Sequence, residues 1–250
     1  RIGGLPFIVH LWGGTGTGKT VALCVAASVW GKGAYNNNAL IQSFRGTEYA
    51  LSEKAAFLYS LPVIIDEGQT VKNKDDFDTL IMNLTEGKGK IQGSASGGIK
   101  KLRHWANCFI TTAEENIIKY NSGGGTSNRI INIAAQSKII NDGHITMQII
   151  RDNYGFAGKK YIEYIKKLPL EQLKNRYDDL FAKLKDNTDS TDKQLMAMTF
   201  LLLSDELSEQ CIFKGEKHLS IENIKPFLTS QKEIDNSERA YNWAVNWVSQ

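Results

Sequence analysis

The chain has 250 residues, a formal net charge of +3 and a hydrophobic content of 42%. This length allows one large core with a small satellite domain, or two modest domains, and the composition is ordinary for a soluble globular protein. The three cysteines form no C-x-x-C pair and no zinc-binding spacing, so we expect a reducing, cytoplasmic compartment. No run approaches the ~18 apolar residues of a membrane span, and no signal peptide is present, so no membrane partner is expected.

The first 150 residues alternate between strand-like and helix-like patterns. Because a strand pattern begins almost at residue 1, we expect the chain to be part of a longer one on its N-terminal side. Strands separated by helices predict a parallel sheet covered on both faces, that is, a three-layer α/β/α core over residues 1–150. Thr47 is expected to cap the second helix, and Gly31 to end the first. The predicted strands are 7–12, 38–44, 61–66, 107–112 and 129–134, and the predicted helices are 20–30, 48–60 and 75–87.

The pattern becomes helical throughout after about residue 150. Residues 159–168 and 170–185 repeat apolar side chains at helical spacing, and the second of these has a stripe of Leu170, Leu173, Tyr177, Leu180 and Leu184. Two further helices are predicted at 194–207 and 238–248, with a polar linker at 186–192. We therefore predict an all-helical lid over residues 151–250.

The segment GGTGTGKT at 13–20 matches the phosphate-binding pattern G-x-x-x-x-G-K-[ST], between an apolar strand and a helix. Glycines let backbone N–H groups turn inward around a phosphate, and the helix N-terminus adds partial positive charge. Lys19 is expected to reach the β- and γ-phosphates of ATP, and Thr20 to offer its hydroxyl to Mg²⁺. The predicted nucleotide-binding residues of this segment are Gly13, Gly14, Thr15, Gly16, Thr17, Gly18, Lys19 and Thr20.

The second feature is acidic: the segment VIIDEG at 63–68 ends a predicted buried strand in Asp66 and Glu67. Buried carboxylates are costly without a cation, so we expect Asp66 to bind ATP and to hold Mg²⁺ through its water shell. Glu67 is the predicted general base for the attacking water. The alternative is an acidic strand end that faces solvent. The N-K-x-D pattern at 73–76, typical of guanine recognition, lies in a polar stretch and not at a late strand end, which favours ATP over GTP.

Three other residues are candidates for contact with the nucleotide. Thr112, at a strand end, would position the attacking water if its strand lies between the other two functional strands; the alternative is a β-branched residue that fills a strand. Arg129, directly before a strand, is predicted to be an arginine finger toward a neighbouring subunit. Arg239, with Lys193 as a competitor, would contact nucleotide from the lid. For Arg129, Arg239 and Lys193 the alternative is an ordinary surface role.

The order of these parts resembles that of AAA+ ATPases: phosphate loop, carboxylate pair, polar strand end, arginine and helical lid. Residues 45–69, 84–101, 104–115 and 152–165 are also similar to the MCM-like helicases of staphylococcal cassette chromosome elements, the Cch type. The resemblance covers most of the chain from residue 8. It implies a ring-forming, hexameric, DNA-unwinding ATPase for replication of a mobile genetic element. It further implies a hairpin, inserted before the 107–112 strand, that projects into a central channel occupied by single-stranded DNA.

The basic segment GKGKIQGSASGGIKKLRH, at about 87–104, has five Lys or Arg and no acidic residue. Its two ends could pair as short strands around a Gly/Ser tip. Phosphate neutralisation by Lys and Arg is independent of sequence, and the lack of a nearby aromatic argues against base stacking. The alternative is a solvated loop. The candidate DNA-binding residues are Lys88, Lys90, Lys100, Lys101 and Arg103.

The main hypothesis from the sequence is an ATP-driven DNA helicase motor, in which Lys19, Thr20, Asp66 and Glu67 act in one subunit and Arg129 acts in the next. Two alternatives stay open. One is a non-helicase AAA+ remodelling ATPase or loader, and the other is a regulatory ATP-binding switch. Lys and Gly, in place of aromatic residues, in the pore-facing segment favour nucleic acid over polypeptide as the partner.

Overall fold

The structure, a computed structural model, describes residues 2–33, 40–43, 47–66, 74–90, 98, 102–118, 124–215, 218–234 and 245. The chain divides into two compact units. The α/β unit comprises Gly3–Ile117 and Ile133–Gly155, and the helical unit comprises Arg1–Ile2, Ile118–Asn132 and Phe156–Gln250. None of the described helices is long and apolar enough to span a membrane.

The sheet has five strands in the order β2-β3-β4-β1-β5. The pairings of β1 with β4, β2 with β3 and β3 with β4 are parallel. This confirms the predicted mixed α/β fold with a parallel sheet, and it places β4 between β1 and β3. The strands are β1 (Phe7–Trp12), β2 (Ile41–Ser43), β3 (Val63–Asp66), β4 (Cys108–Ala113) and β5 (Ile130–Ala134).

Ten α-helices accompany the sheet in the described part of the chain, with a π-helical turn at Glu209–Phe213 and a 3₁₀ turn at Lys225–Phe227. Six of them follow predicted helical segments closely, the first of these being shorter than predicted, and four were not predicted: α4, α5, α9 and α10. The helices are α1 (Lys19–Ser28), α2 (Glu48–Leu58), α3 (Lys74–Thr85), α4 (Gly124–Ser127), α5 (Gly143–Asp152), α6 (Phe156–Lys167), α7 (Leu170–Asn187), α8 (Asp192–Ser208), α9 (Ile221–Ile224) and α10 (Gln231–Ile234).

The central strands are buried on both faces, as expected for a parallel sheet covered by helices. All four residues of β3 are buried, and Ile8 and Phe109 of the neighbouring strands are fully buried. Helix α1 packs Leu23 and Cys24 against Ile64. This packing fixes the start of α1 close to the ends of the strands, which is where the predicted phosphate-binding turn lies.

Side chains cap the starts of α2 and α5, and only the first of these caps was predicted. Thr47 caps α2, since its hydroxyl accepts the N–H of Ala50 at 3.2 Å. Helix α5 was not predicted, although Asp142 caps it by accepting the N–H of Ile145 at 2.9 Å. Its Ile150 packs into the same cluster as Leu23. The predicted domain boundary at residue 150 therefore falls inside α5.

The helical unit is built around α7 and α8. On α7 the predicted stripe is buried at Leu173, Leu180 and Leu184, whereas Leu170 at the helix start is 38% exposed. The predicted polar linker 186–192 is shorter than expected, because α7 continues to Asn187 and α8 begins at Asp192. Between these two helices, Ser190 forms an antiparallel bridge with Ser230. The predicted helix 238–248 lies outside the described residues except for Val245.

Candidate functional site

The glycine-rich turn joins the end of β1 to the start of α1. Gly13 has a φ of +150°, and a Cβ at this position would lie 2.5 Å from the carbonyl oxygen of Ala135, so only glycine fits. Gly18 is the N-cap of α1, and no side chain caps that end. The N–H groups of the first helical turn therefore have no side-chain acceptor of their own, which is the arrangement that binds anions at helix N-termini.

The Lys19 side chain folds back along this turn. Its ammonium donates to the carbonyl oxygens of Gly13 at 2.7 Å and Gly14 at 2.8 Å, and it lies 3.3 Å from the Thr17 hydroxyl. A positive charge is thus fixed within the concave side of the turn. Together with the start of α1, it makes the turn suited to a phosphate group.

Asp66, at the end of β3, lies between two hydroxyl groups. Thr20 donates to its Oδ2 at 3.1 Å, and Thr112 donates to its Oδ1. Asp66 is 6% exposed and Thr112 is 1% exposed. The structure therefore brings together three of the residues predicted from the sequence. Strand β4 lies between β1 and β3, which is the arrangement that the predicted role of Thr112 required. The observed partner of the Thr112 hydroxyl is the carboxylate of Asp66.

The donor set around Asp66 fits Mg²⁺. Carboxylate and hydroxyl oxygens are hard ligands of the type that Mg²⁺ prefers, and this ion is usually held by one or two carboxylates with the phosphates of its substrate. Within the described residues there is no group of three or more His, Cys, Asp or Glu side chains suited to a metal. The hydroxyl of Thr20 and the carboxylate of Asp66, which are in contact, are the groups of this site that would hold the ion.

Two predicted residues of the nucleotide site, Glu67 and Arg239, lie outside the described residues. Arg129 is described and belongs to the helical unit. It lies between α4 and β5, and its Nη1 donates to the carbonyl oxygen of Gly125 at 2.5 Å. Its role as an arginine finger stays a prediction.

The ends of the basic segment pair in antiparallel fashion. Lys88 bridges to His104, the Gly89 N–H donates to the Arg103 carbonyl at 2.9 Å, and the Trp105 N–H donates to the Gly87 carbonyl at 2.9 Å. Gly87 has a φ of +73°, and a Cβ there would lie 2.8 Å from the Trp105 carbonyl oxygen. The base of the segment is thus a defined structure directly before β4. Its remainder, including Lys100 and Lys101, lies outside the described residues except for Gly98.

Two of the candidate DNA-binding cations contact α2. Lys90 forms an ion pair with Glu48 at 2.9 Å. Arg103 forms an ion pair with Glu53, and its guanidinium carbon lies 5.3 Å from the centre of the Tyr49 ring. Lys88 is exposed at the bridge. The base of the segment therefore carries positive charge that α2 partly neutralises, a contact that no sequence pattern indicated.

Three other contacts were also missed. Glu114, just after β4, accepts a hydrogen bond from Thr15 at 2.8 Å and so ties the turn to the neighbouring strand end. The Ile139 N–H donates to the Thr17 carbonyl at 3.0 Å, so the segment after β5 packs on the same turn. His10 Nδ1 lies 2.8 Å from the Thr111 hydroxyl in the sheet interior. Of these three contacts, the one made by His10 had a signal in the sequence, which is a lone histidine in the apolar run FIVHLW. The other two had none.

Burial sets the charge state of His10. Its side chain is inaccessible to solvent, and this burial lowers its pKa to about 4, with a backbone hydrogen bond at Glu115 acting in the opposite direction. His10 is therefore neutral near pH 7. Because Thr111 and Thr112 follow each other in β4, their side chains leave opposite faces of the sheet. The His10–Thr111 pair thus supports β4 from the face opposite Asp66.

Comparison with known proteins gives a partial match in sequence and a fuller one in structure. A family model described as Domain of unknown function (DUF927) matches residues 1–104. No curated protein matches the chain. A solved structure titled "SCCmec type IV Cch - active helicase" aligns with a TM-score of 0.74 at 21% identity, covering 98% of this chain and 46% of that one. The chain therefore spans less than half of the Cch protein, and over nearly all of its own length it shares that protein's fold.

Proposed function

We propose that the chain is the ATP-hydrolysing motor of a DNA helicase. The observation that carries this proposal is the Asp66 carboxylate held between the hydroxyls of Thr20 and Thr112, next to the turn that bears Lys19. A fold shared with a solved helicase supports it. The same residues would serve any Mg-ATP hydrolase, so the helicase part of the proposal depends on the fold likeness and on the basic segment.

In this proposal the phosphates of ATP lie in the turn 13–18. The N–H groups at the start of α1 and the Lys19 ammonium would supply the positive charge that the β- and γ-phosphates require. Thr20 and Asp66 would hold Mg²⁺, which neutralises charge on the β- and γ-oxygens. Thr112 would keep the Asp66 carboxylate in one orientation. Preorganised groups of this kind cost no reorganisation during the reaction.

Hydrolysis needs a water molecule that attacks the γ-phosphorus as the bond to the β-phosphate oxygen breaks. Glu67 directly follows Asp66 and is proposed to accept the proton of that water, so that the products are ADP and inorganic phosphate. Arg129 is proposed to act on the nucleotide of the neighbouring subunit, where a guanidinium stabilises charge in the transition state. This arrangement requires a ring, for which a hexamer is proposed.

The basic segment is proposed to contact the phosphates of single-stranded DNA. Its ion pairs with α2 are partly exposed: the side chains of Lys90 and Glu48 are 62% and 31% exposed, and those of Arg103 and Glu53 are 33% and 39% exposed. Exposed pairs of this kind contribute about 0–1 kcal/mol each, so a row of DNA phosphates could displace them. Lys88, Lys90 and Arg103 would then contact DNA together with Lys100 and Lys101.

The experiment that tests the proposal measures ATP turnover with and without single-stranded DNA, and strand displacement on a forked duplex. We expect DNA-stimulated turnover in the wild type, loss of nucleotide binding in Lys19→Ala, and retained binding without turnover in Glu67→Gln. Turnover that persists in Lys19→Ala would show that the site is wrongly assigned. Normal turnover without strand displacement would favour a remodelling ATPase or loader, and ATP binding by a species no larger than a dimer would favour a regulatory switch.

A further inference from the structure

The turn that carries Arg129 is short and internally hydrogen-bonded. The Asn128 N–H donates to the Gly124 carbonyl at 3.1 Å, and the Arg129 N–H donates to the Thr126 carbonyl at 3.0 Å. These bonds continue α4 to the start of β5, but they do not connect the turn to any other element. Besides the start of β5, contacts from elsewhere in the helical unit hold the turn.

Gln194, in the first turns of α8, supplies such a contact. Its side chain is inaccessible to solvent, and its Nε2 lies 3.0 Å from the Ser127 carbonyl oxygen and 3.2 Å from the Ile130 carbonyl oxygen. These two carbonyls stand on either side of Asn128 and Arg129. One amide group thus holds both ends of the two-residue turn.

The other end of the Gln194 side chain is also fixed. Its Oε1 accepts the N–H of Thr229 at 2.8 Å, and its Nε2 lies 3.2 Å from the Thr229 hydroxyl. Because a backbone N–H can only donate, the contact with Thr229 determines which end of the amide is oxygen. The donor end must then face the two carbonyls of the turn. A side chain with no amide donor could not make these contacts.

Two neighbours of Gln194 in the sequence, Thr191 and Lys193, also lie near the turn that carries Arg129. Thr191, the N-cap of α8, donates to Oδ1 of Asn128. Lys193 lies close enough to Arg129 that its pKa is lowered, first by burial and then by the positive charge of that arginine. The hydrogen bond from Thr191 thus adds to those of Gln194 in holding the turn.

We propose that Gln194 is a positioning residue for Arg129: it holds the backbone on either side of the arginine, whose side chain would contact the nucleotide of a neighbouring subunit. This inference rests on the proposed function, because it assumes that Arg129 acts in that way. A group that contributes only in the transition state affects kcat with little effect on KM. We therefore expect Gln194→Met to lower kcat roughly 10- to 100-fold, less than the 10³-fold or more that loss of an arginine finger costs.

The test uses mixed assemblies, because a positioning role for Arg129 acts across subunits. Gln194→Met keeps its own nucleotide site and should have an impaired finger, whereas Lys19→Ala keeps its finger and lacks a nucleotide site. Lys19→Ala alone should be inactive, Gln194→Met alone should keep only the reduced turnover expected above, and a mixture of the two should turn over ATP faster than either variant alone. A mixture of Gln194→Met with Arg129→Ala should gain nothing over Gln194→Met alone, because both variants are defective in the finger.

The opposite pattern would overturn the inference. If Gln194 served the nucleotide site of its own subunit, its variant would be rescued by Arg129→Ala and not by Lys19→Ala. Rescue by neither partner, or kcat within twofold of wild type in a folded Gln194→Met, would also overturn it. The matched control is Thr199→Val, which removes a buried hydrogen bond to the Leu195 carbonyl on the same helix and should leave turnover unchanged.

A milder variant covers the case in which Gln194→Met does not fold, as judged by its circular dichroism and melting curve. Thr191→Val removes only the partly exposed bond to Asn128, and it should show the same pattern of rescue with a smaller loss of kcat. Wild-type turnover that depends on Lys19 is measured first. Its absence would mean that the proposed function has failed, whereas its presence with unaffected Gln194 and Thr191 variants would mean that this inference alone has failed.

Discussion

The hydroxyl of Thr112 donates a hydrogen bond to the carboxylate of Asp66, across the neighbouring strands β4 and β3. The two residues are 46 positions apart in the chain. Since Thr20 binds the other oxygen of the same carboxylate, both oxygens of Asp66 are hydrogen-bonded. A carboxylate fixed in this way is the kind of preorganised group that the proposed Mg²⁺ and phosphate chemistry would use.

Replacing Thr112 with Val removes this hydrogen bond and nearly conserves volume. We expect kcat for ATP to fall about 10-fold with little change in KM, because the orientation of a buried carboxylate matters most in the transition state. The free energy of unfolding should fall by about 1–3 kcal/mol, the cost of weakening the hydrogen bonding of a buried group. Steady-state kinetics and urea unfolding measure the two effects.

Thr111→Val is the matched control, since it removes a hydrogen bond to His10 from the adjacent residue of the same strand. It should lower stability to a similar extent and leave kcat within about twofold of wild type. An equal loss of kcat in both variants would show that Thr112 acts only through the stability of β4.

Freeing Arg103 from α2 should strengthen DNA binding. Glu53→Gln removes the ion pair with Arg103, and we expect affinity for a single-stranded oligonucleotide at low salt to rise severalfold, because a competing carboxylate is lost. Arg103→Ala should weaken binding and reduce the slope of log affinity against log salt by about 1. Fluorescence anisotropy at several salt concentrations measures both.

The control for this prediction is Glu171→Gln, which removes an exposed carboxylate from α7 in the helical unit. It makes the same change of net charge and should leave affinity unchanged. If it strengthens binding as much as Glu53→Gln does, the effect is one of overall charge and the ion pair with Arg103 has no specific part in it.

The buried His10 should make stability depend on pH. Burial lowers its pKa to about 4 in the folded protein, below the ordinary histidine value of 6.5. The unfolded chain therefore binds more protons between these values, so stability is full above about pH 6.5 and falls as the pH drops toward 4. The loss from this residue is on the order of 3 kcal/mol by linkage. Urea unfolding of wild type and His10→Gln between pH 4 and pH 7 measures it.

A smaller pH dependence in His10→Gln than in the wild type is the expected result. His144→Gln, which changes an exposed histidine of α5, should keep the wild-type dependence. The assignment to His10 is wrong if the two variants lose stability in parallel as the pH falls.

Gly87→Ala should destabilise the base of the basic segment. The residue has a φ of +73°, and a methyl group would meet the Trp105 carbonyl oxygen at 2.8 Å. We expect a loss of about 2–4 kcal/mol, the sum of backbone strain and a clash with the backbone. Gly98→Ala is the control, because Gly98 has a φ of +85° with nothing within 4 Å of an added Cβ, so only the strain of about 1–2 kcal/mol applies. Equal losses in thermal or urea unfolding would contradict the clash.

Much of the fold followed from short-range patterns in the sequence. Continuous apolar runs predict buried strands wherever both faces of a sheet are covered, and the phosphate-binding turn is set by adjacent glycines and Lys19. Helix α5 was missed because its apolar pattern is mixed: Ile150 is buried, but Ile145 and Ile149 are more than half exposed. A sequence pattern that combines core and surface apolar residues gives a weak helical signal.

The contacts that complete the candidate site depend on distant parts of the chain. The Lys90–Glu48 pair joins residues 42 positions apart, and the Gln194 amide reaches carbonyls 64 and 67 positions away. Composition indicated that the basic segment could bind phosphates, but nothing local indicated that α2 would supply carboxylates to it. Similarly, one glutamine in a long apolar helix gives no sign of the turn that it holds.

Strand β4 cannot slide along its own axis without breaking hydrogen bonds on both sides. Its register is fixed against β1 from Phe7 to Trp12 and against β3 from Val63 to Ile65. A slip of one residue would also exchange the faces of its side chains, moving Thr112 away from Asp66. A force applied to the paired base at Gly87 and Trp105 is therefore borne by three strands together. Such a force would act on the turn after β1 and on the carboxylate that ends β3 through the hydrogen bonds that join their strands to β4.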